Sequence, residues 1–320
     1  MRILVTGGSG FIGTNLCVRL ASLGHDVLSL DNHFRSAAPD AGVTTCEGDI
    51  RDPVGVRDLC RGAEVVVHLA AIQGTRNFYE IPDVVLDVNL RGALNVAEAC
   101  AAEGVRRLVF SSSSEVYGTP QVFPTPETAP LVVPDVLNPR FSYGGSKAAG
   151  ELIVVNYARR HDFEHTVIRY HNVYGPRMGW DHVIPQFIAR LEREEEFTVQ
   201  GDGTQTRSFC YVDDAIDGTV AAVLEPAAAN EIFNIGNPDE EHSINHLIAI
   251  LEEACGRRID PVFVPFDGEG THRRVPDIGR ARRLLGFAPN VCLRDGLTIT
   301  YGWYSEQLRA NGGGGPLWQR

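Results

Sequence analysis

Short β-branched and aliphatic runs alternate with helix-like stretches through the first half of the chain. RILVTG, HDVLSLD, VTTCEGD, EVVVHLAA, RRLVFSSS and HTVIRYHNVYG read as strands; GTNLCVRLASLG and VNLRGALNVAEACAAEG read as helices. Such alternation predicts a parallel sheet covered by helices on both faces. A continuous run such as VVVHLA suits a strand buried on both sides. After Tyr174 the texture changes: Pro and Gly are more frequent, VIPQFIARLEREEE reads as a helix, and another helix is expected from Asp213 to about Leu224. The expectation is an α/β fold with a doubly wound parallel sheet and a smaller mixed α/β second domain woven from separated segments. The charge run Glu192 to Glu196 sits at a helix end and reads as a solvated face. The tail NGGGGPLWQR, residues 311–320, reads as a flexible end.

Composition narrows the class of partner. A chain of 320 residues with 43% hydrophobic content can bury a large core. The net charge of -12 opposes nonspecific attraction to nucleic acid or to anionic lipid, so neither is expected as a partner. An anionic substrate would need local arginines. Seven scattered cysteines without a CxxC pair fit a reducing compartment, with no metal site expected. No apolar stretch approaches the ~20 residues that span a bilayer, and a cytoplasmic location is expected.

The first strand runs into Gly7, Gly10 and Gly13, a G-x-x-G-x-x-G turn opening a helix. Glycine permits the tight turn and a close backbone approach to a pyrophosphate, while the helix N-terminus supplies N–H donors. Asp31 closes the second strand 18 residues after Gly13, where a carboxylate can bond adenosine ribose hydroxyls and repel a 2′-phosphate. NAD is thus favoured over NADP on a sheet of the Rossmann kind. Asp49 in EGDIRD and Ala70 and Ala71 in HLAA stand at successive strand ends lining the same crevice, and Asp49 can accept from an adenine amino group.

Tyr143 and Lys147 lie four apart in YGGSKAAGEL, so one helix face carries both. A tyrosine acts as a base only after losing its proton, and a neighbouring ammonium favours the phenolate. A hydroxyl from SSSSEVYG can complete a proton path to a substrate alcohol.

With GGSGFIG, DN at Asp31, GDIRD, HLAA, SSSSEVYG, YGGSK, RYHNVYGPR, TRSFCYVDD, NIGNP and RRVPDIGRARRLLGFAP in this order, the chain resembles the extended short-chain dehydrogenase/reductases. Within them it is similar to the NAD-dependent nucleotide-sugar epimerases, dehydratases and decarboxylases. The resemblance implies Ser113, Glu115, Tyr143 and Lys147 as catalytic residues: Tyr143 takes the sugar C4 hydroxyl proton as hydride passes to NAD, and Lys147 tunes it and holds the nicotinamide ribose. It implies an NAD site from Gly7, Gly10, Phe11, Ile12, Gly13, Asp31, Asn32, Asp49, Ile50, Leu69, Ala70, Ala71, Gln73, Asn89, Ser111, Tyr143, Lys147, Tyr170 and Val173. For the nucleotide sugar it implies Arg76, Ser113, Ser114, Asn172, Val183, Arg207 and Arg274, with Asn172, Arg207 and Arg274 at the diphosphate. The expected division is a cofactor domain over 1–171 that also takes in about 208–235, and a substrate domain over 172–207 and 236–310. A homodimer is expected through helices near Ile81 to Ala101 and Tyr143 to Arg160.

A 4-keto sugar acidifies its neighbouring C–H bonds and stabilises the carbanion left by a departing carboxylate, so several reactions share this machinery. Glu115 stands where a carboxylate can reach C5 or C6. The pair Ser114-Glu115 lacks the Asp-Glu of 4,6-dehydratases and looks like UDP-glucuronate decarboxylases, whereas YGGSK is closer to epimerases. The reading is an NDP-sugar epimerase, with a decarboxylase or a 4,6- or 5,6-dehydratase as alternatives and a noncatalytic NAD-binding regulator as the reading from another class. Phe78, Tyr79 and Trp180 are candidates to shape the sugar pocket, and His171 and His182 are candidate acid/base or substrate contacts against a packing role.

Overall fold

In β1 (Arg2–Thr6) every residue after Arg2 is buried, with Ile3 and Val5 in one core and Leu4 in another. That split is what an alternating strand requires when both sheet faces are covered. The computed structural model describes residues 1–33, 43–265 and 271–310, so the tail expected to be flexible lies outside the described residues.

After β1 come α1 (Phe11–Ser22), β2 (Asp26–Asp31), β3 (Thr44–Glu47), α2 (Pro53–Cys60) and β4 (Val65–His68). Two short helices, α3 (Thr75–Glu80) and α4 (Pro82–Leu86), lead through a π-helical turn into α5 (Gly92–Glu103) and β5 (Arg107–Ser113). The long α6 (Ser142–His161) precedes β6 (Glu164–Tyr170), β7 (Val173–Tyr174), α7 (Val183–Glu192), β8 (Thr198–Gln200), β9 (Thr206–Ser208) and β10 (Cys210–Tyr211). The described residues close with α8 (Val212–Leu224), β11 (Glu231–Ile235), β12 (Glu241–Ser243), α9 (Ile244–Cys255), β13 (Val262–Val264), β14 (Arg273–Arg274), α10 (Gly279–Leu285) and α11 (Leu293–Ala310).

Seven strands form one sheet in the order β11-β6-β5-β4-β1-β2-β3, with every neighbouring pair parallel. Helices α2, α5 and α6 cover the face of Leu4, Val66 and Phe110; α1 and α8 cover the face of Ile3, Val5 and Ile168. The strand order runs outward in opposite directions from β1 and β4. A crevice therefore opens beyond their carboxyl ends, where ligands bind in doubly wound sheets.

The remaining strands are short and mixed. β9 pairs antiparallel with β12 and parallel with β14, and α7 and α9 pack on α11. This packing corrects one expectation: Glu192, read as part of a solvated charge run, is nearly buried and accepts from Tyr301 Oη (2.6 Å), with Arg257 and Arg309 paired to it. Glu194, Glu195 and Glu196 are exposed. No helix among the described residues is long and apolar enough to cross a membrane.

Candidate active site

The glycine turn closes tightly on β4. Gly7 has φ +71, and a Cβ there would sit 2.7 Å from the Ala70 nitrogen. A Cβ on Gly13 would collide with the Gly7 carbonyl oxygen, which already accepts from Gly10 N (3.0 Å). Helix α1 begins at Phe11 with no side-chain cap, so the first-turn amides of Phe11, Ile12 and Gly13 remain for a ligand. Beside them the buried Ser9 hydroxyl has no hydrogen-bond partner. An open helix N-terminus, an orphan hydroxyl and a backbone stripped of Cβ atoms fit a dinucleotide pyrophosphate. Asp31 is fixed at the end of β2 by N–H donors from Ser9 (3.0 Å) and His33 (2.8 Å), with Asn32 between.

The other residues expected at the cofactor are placed with different degrees of freedom. Asp49 is gripped by Arg51 (Nη2 at 2.6 Å), whose hydrogen bonds hold its carboxyl below the usual range. Ile50 is buried against Gly92 of α5, and its carbonyl accepts from Asn95. Leu69 N donates to Thr6 O and Ala70 N to Thr6 Oγ1, which carries Ala71 and Gln73 along the crevice wall. Asn89 is a clamp within that wall: its Oδ1 accepts from Ile72 N (2.8 Å), and its Nδ2 donates to Ile72 O and Ser146 Oγ. The Tyr170 hydroxyl is bonded to Thr219 of α8 (2.7 Å), and Val173 pairs with β10.

Helix α6 puts Tyr143 and Lys147 on its buried face. The Lys147 ammonium donates to the Ser111 carbonyl (2.7 Å) and hydroxyl (3.2 Å) and lies 5.8 Å from the centre of the Tyr143 ring. Burial lowers the lysine to about 7, with the Glu151 charge acting in the opposite direction. Phe78 stacks on Tyr143, centroids 5.2 Å apart and planes 15° apart. Tyr79 is half exposed, while Trp180 packs edge-on against Tyr304 of α11, so of the three aromatics Phe78 is the one that stacks on the Tyr143 ring.

At the end of β5, Ser113 Oγ accepts from Glu115 N (3.2 Å) and Ser114 is buried. Glu115 forms a two-pronged ion pair with Arg274, Nη2 to Oε2 being 2.8 Å. Arg140 stands 3.9 Å from the same carboxylate. Burial would raise Glu115, but the charge and hydrogen bonds of Arg274, with Arg140 and Arg207 behind it, hold the carboxyl at about 2. Arg274 also donates to Thr271 Oγ1, and its buried Nε has no partner. Arg207 lies in register with it across β9 and β14, pushed down to about 10 by burial and then by the Arg274 charge. Three guanidiniums thus face one carboxylate, leaving net positive charge for an anionic ligand. Arg140 was missed in the sequence, although it stands three residues before Tyr143 in NPRFSY.

Other expected contacts lie further out. Asn172 adopts φ 40 and donates to Ser208 O (3.4 Å), and Val183 opens α7 after His182. Arg76 is exposed and paired with Glu80 one turn away (2.8 Å). His171 is wholly buried, bonded to Asn234 Oδ1 (3.0 Å) and pushed by burial to about 3, so it is neutral at physiological pH, and its buried Nδ1 has no hydrogen-bond partner. His182 Nε2 meets Gln73 Nε2 at 3.5 Å, joining the α7 loop to the crevice wall.

Fold and site together define an α/β protein with a glycine-turn crevice suited to a dinucleotide and a tyrosine–lysine pair on the adjoining helix. The chain belongs to the NAD dependent epimerase/dehydratase family, whose model matches residues 3–236. It is 33% identical over 321 residues to a UDP-N-acetyl-alpha-D-glucosaminuronate decarboxylase of Bacillus cytotoxicus, covering 95% of this chain and 98% of that one. Among solved structures, the UDP-glucose 4-epimerase of Thermotoga maritima with UDP-glucose matches with a TM-score of 0.89 at 32% identity, over 96% of this chain and all of that one. The UDP-glucuronic acid 4-epimerase of Bacillus cereus, in complex with UDP-glucuronic acid and NAD, matches at 0.87 and 31%, over 96% and 99%.

Proposed function

We propose that the chain is an NAD-dependent UDP-sugar epimerase that works through transient oxidation at C4. The observation that carries this reading is the buried Lys147 ammonium held beside Tyr143 at the mouth of the dinucleotide crevice. Bound NAD supplies a hydride acceptor and donor. Tyr143 removes the C4 hydroxyl proton and later returns it, Lys147 favours the phenolate, and Ser113 orients the alcohol. Arg207 and Arg274, with Asn172, Val183 and Ser114, hold the nucleotide sugar, and the surplus positive charge of the arginine cluster receives the diphosphate. The relatives named above act on or bind UDP-sugars, which supports uridine as the base. We assign 1–171 with about 208–235 to the cofactor and the rest of the described chain to the substrate, and we assign a homodimer through α5 and α6.

A second reading, decarboxylation of a UDP-uronate, is favoured by Glu115 gripped by Arg274, in the position where the family resemblance puts a carboxylate within reach of C5 or C6. A panel of UDP-hexoses and UDP-uronates, analysed by NMR for epimers and by carbon dioxide release, separates the two. Epimer without gas supports the first reading, and gas from a uronate overturns it. Tyr143→Phe should lower turnover by about 10²–10⁴-fold while UDP-sugar binding persists; activity like that of the wild type would refute the mechanism.

A further inference from the structure

Glu151 stands one helical turn beyond Lys147 and two beyond Tyr143, and all three lie on the buried face of α6. Its carboxylate is 5% exposed and accepts three hydrogen bonds, from Ser112 Oγ (2.5 Å), Arg169 Nε (2.9 Å) and Arg169 Nη2 (2.7 Å). Ser112 adjoins Ser111, the residue on which the Lys147 ammonium rests. Two consecutive residues of β5 thus hold the lysine and the glutamate of one helix.

A buried ammonium needs more than neutral acceptors. From β5, Lys147 meets the Ser111 carbonyl and hydroxyl and, at 5.1 Å, the Phe110 ring. From β4 it faces His68, which burial first and then the Lys147 charge push to about 3 and which is therefore neutral. On its own helix the Tyr143 ring lies 5.8 Å away and Glu151 stands one turn on, near enough for its charge to act on the lysine; Arg169 of β6 is bound to Glu151 and to the Tyr117 hydroxyl (2.9 Å). Glu151 is the carboxylate among these groups.

We infer that Glu151 is a positioning residue of the redox site, whose carboxylate is the counter-charge that keeps Lys147 an ammonium beside Tyr143. The inference rests on the proposed Tyr143–Lys147 chemistry. Burial drives Lys147 to about 7, and the Glu151 charge acts against that fall, so the lysine sits where losing one neighbouring carboxylate changes its charge near neutrality. A purely structural role would be limited to tying α6 to β6 through Arg169.

The test follows ionisation of Tyr143 in NAD-bound protein without substrate, as the ultraviolet difference between each variant and the same variant carrying Tyr143→Phe. Glu151→Gln should move the Tyr143 titration upward by about one pH unit, because a neutral Lys147 no longer favours the phenolate. Glu151→Asp, which keeps the charge, should restore it most of the way. Glu151→Gln leaves Arg169 unpaired and can unfold the protein; the double variant Glu151→Gln/Arg169→Met removes the stranded cation as well and should still show an upward shift, smaller than that of the single variant. An unchanged Tyr143 titration in the single or the double variant, with only a lower melting temperature, would overturn the inference. Nicotinamide reduction on adding UDP-sugars to the wild type reads the proposed reaction separately: its absence counts against that reaction, while the Tyr143 titration still decides the role of Glu151.

Discussion

Glu115 carries a full negative charge across the physiological range, because Arg274, Arg140 and Arg207 hold its carboxyl at about 2 against burial. Its folded value lies below the ordinary 4.5, so the stability this pairing contributes is complete above about 4.5 and is lost as the pH falls towards 2. In this paired state Glu115 can accept a proton but has none to give. On the proposed mechanism oxidation at C4 uses Tyr143 and Lys147, whereas an event at C5 or C6 would draw on Glu115 and Arg274. On the decarboxylation reading, Glu115→Gln should therefore still reduce the nicotinamide on mixing with a UDP-uronate while product formation falls by about 10²–10⁴-fold. Stopped-flow absorbance together with product NMR checks this, and unimpaired product formation would make Glu115 a strut for Arg274. Tyr143 and Lys147 were legible because a four-residue spacing fixes a shared helix face whatever surrounds it. Arg140 was not, since it meets Glu115 only after the intervening loop has folded back. His171 was a candidate contact weighed against a packing role, and its hydrogen bond to Asn234 of β11 is one that no local pattern reveals.

At the scale of elements, five of the six strands named from sequence are legible because each is a run of β-branched or aliphatic residues buried on two faces, whereas β3, at the sheet edge, is mostly exposed. β9, β12 and β14 are two or three residues long and exist only by pairing across distant segments, so no local run announces them. The helix α7 was legible, but the burial of Glu192 at its end depends on Tyr301 of α11 and was not. The glycine turn is the junction where local sequence and tertiary contact agree most closely. A methyl at Gly13 would meet the Gly7 carbonyl and the Gly8 Cα, both backbone, so no side chain can swing aside. Gly13→Ala should destabilise the fold by about 1–3 kcal/mol through overpacking. It should also weaken NAD binding more than UDP-sugar binding, because α1 would be displaced from β1 at the pyrophosphate end. Denaturant melts and calorimetric titrations with each ligand measure both effects; equal losses of the two affinities would show that the turn serves general folding alone.

At the scale of the whole molecule, the reversal of strand order between β1 and β4 brings residues from both halves of the chain to one crevice, and a positive arginine cluster forms inside a protein of net charge -12. The opposite side of α5 and α6 raises a different question. Both helices bury one face on the sheet, yet Leu94 is 37% and Leu152 65% exposed on the outward side, beside a Tyr157–Glu98 hydrogen bond joining the two helices. A second copy meeting this surface about a two-fold axis would bury the same leucines twice, which is how an isologous interface gains area from few residues. Arginine at position 152 would bring two cations towards that contact without disturbing the monomer core, because the side chain already faces outward. Leu152→Arg should halve the mass seen by light scattering while circular dichroism and NAD binding are retained. A wild type that is monomeric at the concentrations used for turnover, or a variant that remains dimeric, would remove α5 and α6 from the assembly and leave Leu152 as ordinary exposed surface.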